Sequence, residues 1–194
     1  MLNCCRLSFA LAAPERLDPR SALDKALEWA VEHNALFSVE QAILLSIPYS
    51  GFPAAVETLG WLRQKHPQAQ PPPEPVPDSA TESIFQQVYG DGEPKVRASL
   101  RHRHPDLEAW IIDFAYGTVM SSSSLPTATI EALAVSSLIA QGRMTPLHSH
   151  LRGALRSGLA PQSIVTLLDS LQDVALPRVL QEARQLLQKE SSRP

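Results

Sequence analysis

Residues 127–158 read TATIEALAVSSLIAQGRMTPLHSHLRGALRSG, and this stretch decides the fold. From Thr127 to Gln141 the only charge is Glu131, set in an apolar and small-residue run. The run is shorter than the roughly 20 apolar residues of a membrane span, and it reads as a helix. After a turn from Gly142 to Pro146, the segment Leu147–Ser157 is amphipathic. Leu147, His150, Leu151, Ala154 and Gly158 recur at steps of three and four and share one face. His148, Arg152 and Arg156 lie on another side, so His150 is the histidine that points inward. Gly158 closes this helix.

An ionised carboxylate is costly to bury in such a helix unless something pairs with it. His150, nineteen residues after Glu131, is the candidate. A helix N-terminus disfavours an added proton on a histidine, and a neighbouring carboxylate favours it. That balance suits a group that passes a proton. The plain alternative is a histidine satisfied within the core. With a turn near residue 144, helical rise puts Glu131 about 20 Å from the turn and His150 about 9 Å. Direct contact then needs an uneven turn, a bridging water or a neighbouring subunit.

Working outward, no segment alternates as a strand would, so the fold class is all-α. The clearest boundary is His66–Ala80, HPQAQPPPEPVPDSA, which holds six of the seventeen prolines. Proline removes amide donors and fixes φ, so an extended strap is expected there. It separates an N-terminal helical half-repeat, 1–65, from a helical domain, 81–194. In the first block helices are expected over 21–34, with Asn34 as breaker, from a cap at Ser38, and again over 54–64 after the TyrSerGlyPhePro turn at 49–53. In the second they are expected over 81–89, from Pro94 to His104, from Pro105 to about Met120, over the stretch quoted above, and over 161–173 and 177–189. A partial internal duplication is visible: 30–34 corresponds to 154–158, and 53–64 to 177–188. The position matching His150 is Ala26 in the first copy.

The 194 residues are 44% apolar and only 19% charged, which points to surface buried in subunit contacts. A net charge of -3 gives no support to nucleic-acid binding. Cys4 and Cys5 are adjacent, form neither a redox pair nor a zinc half-site, and read as small hydrophobes in an early helix. Without a disulfide framework the chain suits a reducing cytoplasm, and no leader or membrane span is expected. The basic run Arg97, Arg101, His102, Arg103 and His104 is either a carboxylate receiver or a solvated helix end. It has no carboxylates at ligand spacing, so no metal is expected. The tyrosine–glycine turns at 49–53 and 116–117 either line a pocket or are tight turns and core.

FQQVYG (85–90), HPDLEAWIIDFAYGTVM (104–120), the Glu131 helix and HLRGALRSG (150–158) together resemble the carboxymuconolactone decarboxylase family. That family shares its helical fold with the AhpD-type alkylhydroperoxidases. The segment 43–59 is similar to the family's stretch that follows the histidine helix. Glu131 falls on the family's glutamate and His150 on its histidine. The peroxidase branch has cysteines where this chain has Arg143 and Pro146, so thiol peroxidase activity is not expected. Immediately before the glutamate the family often has arginine, and this chain has Ile130. The resemblance implies an AhpD-like helical bundle that forms a homo-oligomer (dimer, trimer or hexamer) with sites near subunit contacts. It also implies a cofactor-free lyase acting on a small lactone or carboxylic acid. His150 would donate the proton and Glu131 would orient it. Arg152, His148 and Tyr116 would bind a small-molecule carboxylate. A non-catalytic scaffold or binding member of the same fold is the alternative.

Overall fold

An α-helix without a polar face can only be stable where it is covered on all sides. α8 (Thr127–Gln141) is that helix: every residue from Ile130 to Ala140 is buried. The computed structural model, which describes residues 1–67 and 83–192, wraps the other helices around it. Among the described residues every regular element is a helix, so the fold is all-α. The first block supplies α1 (Leu2–Ala12), α2 (Pro19–Glu32), α3 (Leu36–Leu45) and α4 (Ile47–Lys65). Then come α5 (Ile84–Tyr89), α6 (Glu93–Arg103) and α7 (Pro105–Ala109), which runs into a π-helix at Trp110–Met120. α9 (Met144–Arg156), α10 (Pro161–Ser170) and α11 (Pro177–Ser191) follow α8.

α8 packs chiefly against α1 and α9. Small residues permit the close approach of α1, where Ser137 Oγ donates to the Ser8 carbonyl at 3.3 Å. α1 contributes Cys4, Cys5, Leu7, Phe9 and Ala10 to the shared core. Burial pushes both thiols up, Cys5 to about 12, so they are inert hydrophobes here.

The internal repeat extends to backbone detail. α2 ends with Asn34 at φ 53, and Ala35 N–H donates to the Ala30 carbonyl at 2.7 Å. α9 ends with Gly158 at φ 90, and Leu159 N–H donates to the Ala154 carbonyl at 2.9 Å. Asn34 N–H reaches the Val31 carbonyl as Gly158 N–H reaches that of Leu155. Both helices therefore close in the same Schellman geometry. Pro53 in α4 and Pro177, the first residue of α11, stand at the same offset as these two closures.

Three boundaries differ from expectation. α9 starts at Met144, and Pro146 lies within its first turn, where a missing N–H costs nothing. α3 starts at Leu36 without a side-chain cap, so Ser38 lies inside it. The residues 105–120 are not one regular helix: Ser121 N–H reaches back five residues to the Tyr116 carbonyl at 3.0 Å, which widens the turn. Of the strap expected at 66–80, His66 and Pro67 end the first block, and residues 68–80 lie outside the described residues.

Candidate active site

Glu131 is fully buried on α8, and His150, on the inward face of α9, is 6% exposed. His150 Nδ1–H donates to both Glu131 oxygens, at 3.2 Å to Oε1 and 3.1 Å to Oε2. The carboxylate fixes the tautomer and leaves Nε2 as the working nitrogen. Nε2 makes no hydrogen bond with the described residues.

The contact is direct, and Gly153 explains how. Gly153, not His150, is level with Glu131: a Cβ at residue 153 would overlap Glu131 Oε2 and stand 2.8 Å from Val88 Cγ1. The carboxylate therefore lies along bare helix backbone and reaches back one turn to His150. The separation of three residues is about 4.5 Å of rise, within the reach of a glutamate side chain.

Around this pair the chain gathers all three of its tyrosines. The Tyr49 ring meets His150 edge-on, with centroids 6.2 Å apart. Tyr116 donates to the Tyr89 hydroxyl at 3.3 Å, and Phe85 wedges against both rings at 4.8 and 4.5 Å. Burial, the Glu131 charge and the neighbouring tyrosines push Tyr49 and Tyr116 well above the ordinary phenol range. Tyr89 is raised for the same first reason, with the Tyr116 hydrogen bond acting against it.

Local backbone explains how three distant segments converge. Gly51, at φ 79 and ψ 167, breaks α4 so that Ile47–Ser50 and Phe52–Lys65 diverge. A side chain disfavours that conformation, so glycine is needed there. Next to Tyr49, Ser50 Oγ is buried without a hydrogen-bond partner among the described residues. α5 delivers Tyr89, and the π-helix delivers Tyr116, which is 5% exposed.

The other residues expected at the site lie elsewhere. His148 Nε2 meets Glu190 Oε1 at 3.0 Å, and Arg152 Nε meets Glu190 Oε2 at 3.3 Å. Both therefore face α11, away from the His150 side of α9. The basic run is also committed: Arg97 to Glu93 at 2.7 Å, and Arg101 to Glu108 through two bonds at 2.6 and 2.9 Å. His104 instead caps α7, its Nδ1 accepting from Asp106 N–H at 3.2 Å. Among the described residues no three His, Cys, Asp or Glu side chains converge as metal ligands would. Likewise no helix among them is long and apolar enough to cross a membrane.

Sequence reasoning missed Tyr89 and Gly153. A usable signal existed: each tyrosine is followed within two residues by glycine, at Tyr49–Gly51, Tyr89–Gly90 and Tyr116–Gly117. Rare aromatic residues repeatedly set at backbone breaks suggest placement for a site rather than for core filling.

Residues 105–189, which hold the π-helix, Glu131 and His150, match the sequence model of the Carboxymuconolactone decarboxylase family. The match covers less than half of the chain. Tyr49 and Tyr89 lie before the family segment, so the first block and α5 complete its surroundings. The chain is also similar to Peroxisomal protein 2 of Schizosaccharomyces pombe. The two are 26% identical over 168 residues, covering 81% of this chain and 78% of that protein. That likeness extends well beyond the carboxymuconolactone decarboxylase segment.

Proposed function

We propose that the chain is a cofactor-free acid–base catalyst, a lyase or isomerase that moves a proton at carbon in a small molecule. The single observation that carries this reading is Glu131 holding His150 through Nδ1 while Nε2 has no hydrogen-bond partner among the described residues. A fixed imidazole of this kind takes a proton from carbon, or gives one to the carbanion left by departing carbon dioxide. Decarboxylation of a lactone acid, the reaction in the family's name, uses that second form.

The test is turnover of γ-carboxymuconolactone by ultraviolet absorbance, beside His150→Gln. Turnover lost in the variant, with its fold intact by circular dichroism, supports the decarboxylase form. No turnover by folded wild type removes that substrate and leaves isomerisation or a non-catalytic role.

A second reading, a non-catalytic member of the fold, is favoured by one observation. Glu131 and His150 are both buried, a setting that a purely structural pair would also occupy. On this reading wild type and His150→Gln alike show no turnover, and the substitution changes stability only.

We also propose a homo-oligomer. Phe52 and Trp110 are 57% and 68% exposed, and Phe52 packs on Phe114 with ring centroids 5.7 Å apart. They sit on the outer faces of the segments that carry Tyr49 and Tyr116, so a second copy there would close the edge of the site. The free thiols suit a reducing compartment such as the cytoplasm. The relative's name adds the peroxisome as a place to look.

A further inference from the structure

We infer that Tyr49 is a positioning residue for His150: its ring, supplied by the first half of the chain, fixes the plane of the imidazole whose Nδ1 is held by Glu131. The inference deepens the acid–base reading and rests on it for the use made of Nε2, not for the contact itself.

A single tie leaves an imidazole one freedom. His150 Nδ1–H donates to the two Glu131 oxygens at 3.2 and 3.1 Å. That fixes where Nδ1 lies and leaves the tilt of the ring plane open, and Nε2, on the far side of the ring, moves most when the plane tilts. The Tyr49 ring stands against the imidazole with centroids 6.2 Å apart and planes at 76°. This is the T-shaped arrangement that aromatic pairs favour. A second contact, out of line with the first, stops the tilt. A general acid or base depends on that aim, because proton transfer needs its nitrogen within hydrogen-bond reach and in line.

Tyr49 is itself tied down through its backbone. Gln141 Nε2 donates to the Tyr49 carbonyl at 2.7 Å. Gln141 is the last residue of α8, the helix that carries Glu131. Both contacts of His150 are thus referred to one helix, directly by Glu131 and through Tyr49 by Gln141. The Tyr49 N–H donates to the Ser46 carbonyl at 2.9 Å, and the buried Ser46 hydroxyl donates to the Ile43 carbonyl at 2.7 Å. Gly51 then turns the chain away at φ 79. The Tyr49 hydroxyl makes no hydrogen bond with the described residues, so the ring carries the contact.

The internal repeat supplies an independent reason. At the offset that relates the matched helix ends, Asp173 stands where Tyr49 does. Asp173 reaches across in the opposite sense, accepting from Arg6 of α1 through two bonds at 2.7 and 2.8 Å. Each half therefore sends the same segment over to the helix pair of the other half. In one direction a histidine meets a ring, and in the other an arginine meets a carboxylate.

The experiment follows the His150 Nδ1 proton by NMR in the full-length chain, assigned by its loss in His150→Gln, and measures its exchange with water. A protected resonance is expected in wild type. Tyr49→Ala should speed exchange by about three- to tenfold, the amount one aromatic contact holds closed. Tyr49→Phe should match wild type. Gln141→Ala, at the surface, should act in the same direction and by less, and it decides the matter if Tyr49→Ala does not fold. Leu62→Ala, buried in α4 beyond Gly51, should lower stability to urea and leave the exchange rate unchanged. Wild-type exchange in both Tyr49→Ala and Gln141→Ala overturns the inference, as does the absence of a protected resonance in wild type. Tyr49→Phe behaving as the alanine variant moves the effect to the hydroxyl and overturns the ring contact. Equal rises in Leu62→Ala and Tyr49→Ala would make the role structural only. Turnover of γ-carboxymuconolactone is read on the same variants: Tyr49→Ala should lower kcat and leave KM, and an unchanged kcat overturns the positioning role. A wild type without turnover counts against the acid–base reading, and proton exchange then decides the contact on its own.

Discussion

Glu131 lies along the bare backbone of Gly153, in space that a Cβ would occupy. A glycine inside a helix is ordinarily a cost of about 1 kcal/mol relative to alanine. Here the missing methyl is what lets a buried carboxylate reach a histidine one turn away. Gly153→Ala should therefore destabilise the fold despite its better helix propensity, by about 1–3 kcal/mol as overpacking does. It should also pull the carboxylate from His150. Urea unfolding measures the first effect and the histidine Nδ1 proton resonance the second. A stabilised variant would show that α9 and α8 separate without cost at this point.

The first half of the chain suggests a second experiment. At the offset that relates the matched helix ends, Leu7 stands where Glu131 does and Ala26 where His150 does. Both are buried in an apolar setting. Removing one partner of a buried pair costs about 3–5 kcal/mol, whereas replacing both by apolar residues is often neutral. His150→Ala alone should be strongly destabilising. The double variant Glu131→Leu with His150→Ala should recover at least half of that loss. Strictly additive losses in urea unfolding would mean that the two residues are not energetically coupled.

Alkaline titration follows from the three tyrosines. Their folded-state values are raised above the unfolded one, so the neutral phenols contribute stability that is intact below about pH 10 and is lost as pH rises above it. Because these are the protein's only tyrosines, tyrosinate absorbance near 295 nm reports this cluster alone. It should be absent at pH 10 and appear together with loss of helix by circular dichroism. A reversible titration near pH 10 in the folded state would contradict the burial described.

Trp110→Asp introduces a charge at a 68% exposed aromatic residue on the π-helix that also carries Phe114. Sedimentation should show a smaller species than wild type, with the helix content retained. An unchanged sedimentation coefficient would move the subunit contact to another face.

Much of this architecture is legible in residue pattern alone. α8 reads directly because its single charge stands in an uninterrupted apolar run, and its bounds agree with the sequence expectation. α9 differs from its pattern only at the start, because proline at 146 reads as a turn in sequence and is a first-turn helical residue in three dimensions. The Glu131–His150 contact was expected only through an uneven turn, water or another subunit. That expectation measured helix rise from the turn and overlooked what Gly153 permits. The tyrosine cluster was the least legible part. Its members come from α4, α5 and the π-helix, and the glycine that follows each marks a backbone break without saying which breaks meet.

The partnership of α1 with α8 also sets an order of events during synthesis. α1 is made well before α8, which begins at Thr127, so until then only α2, α3 and α4 can pack on it. At about 5–20 residues per second, its apolar side waits on the order of six to twenty-five seconds for α8. Until that point the side of α1 that meets α8 has no partner helix to cover it.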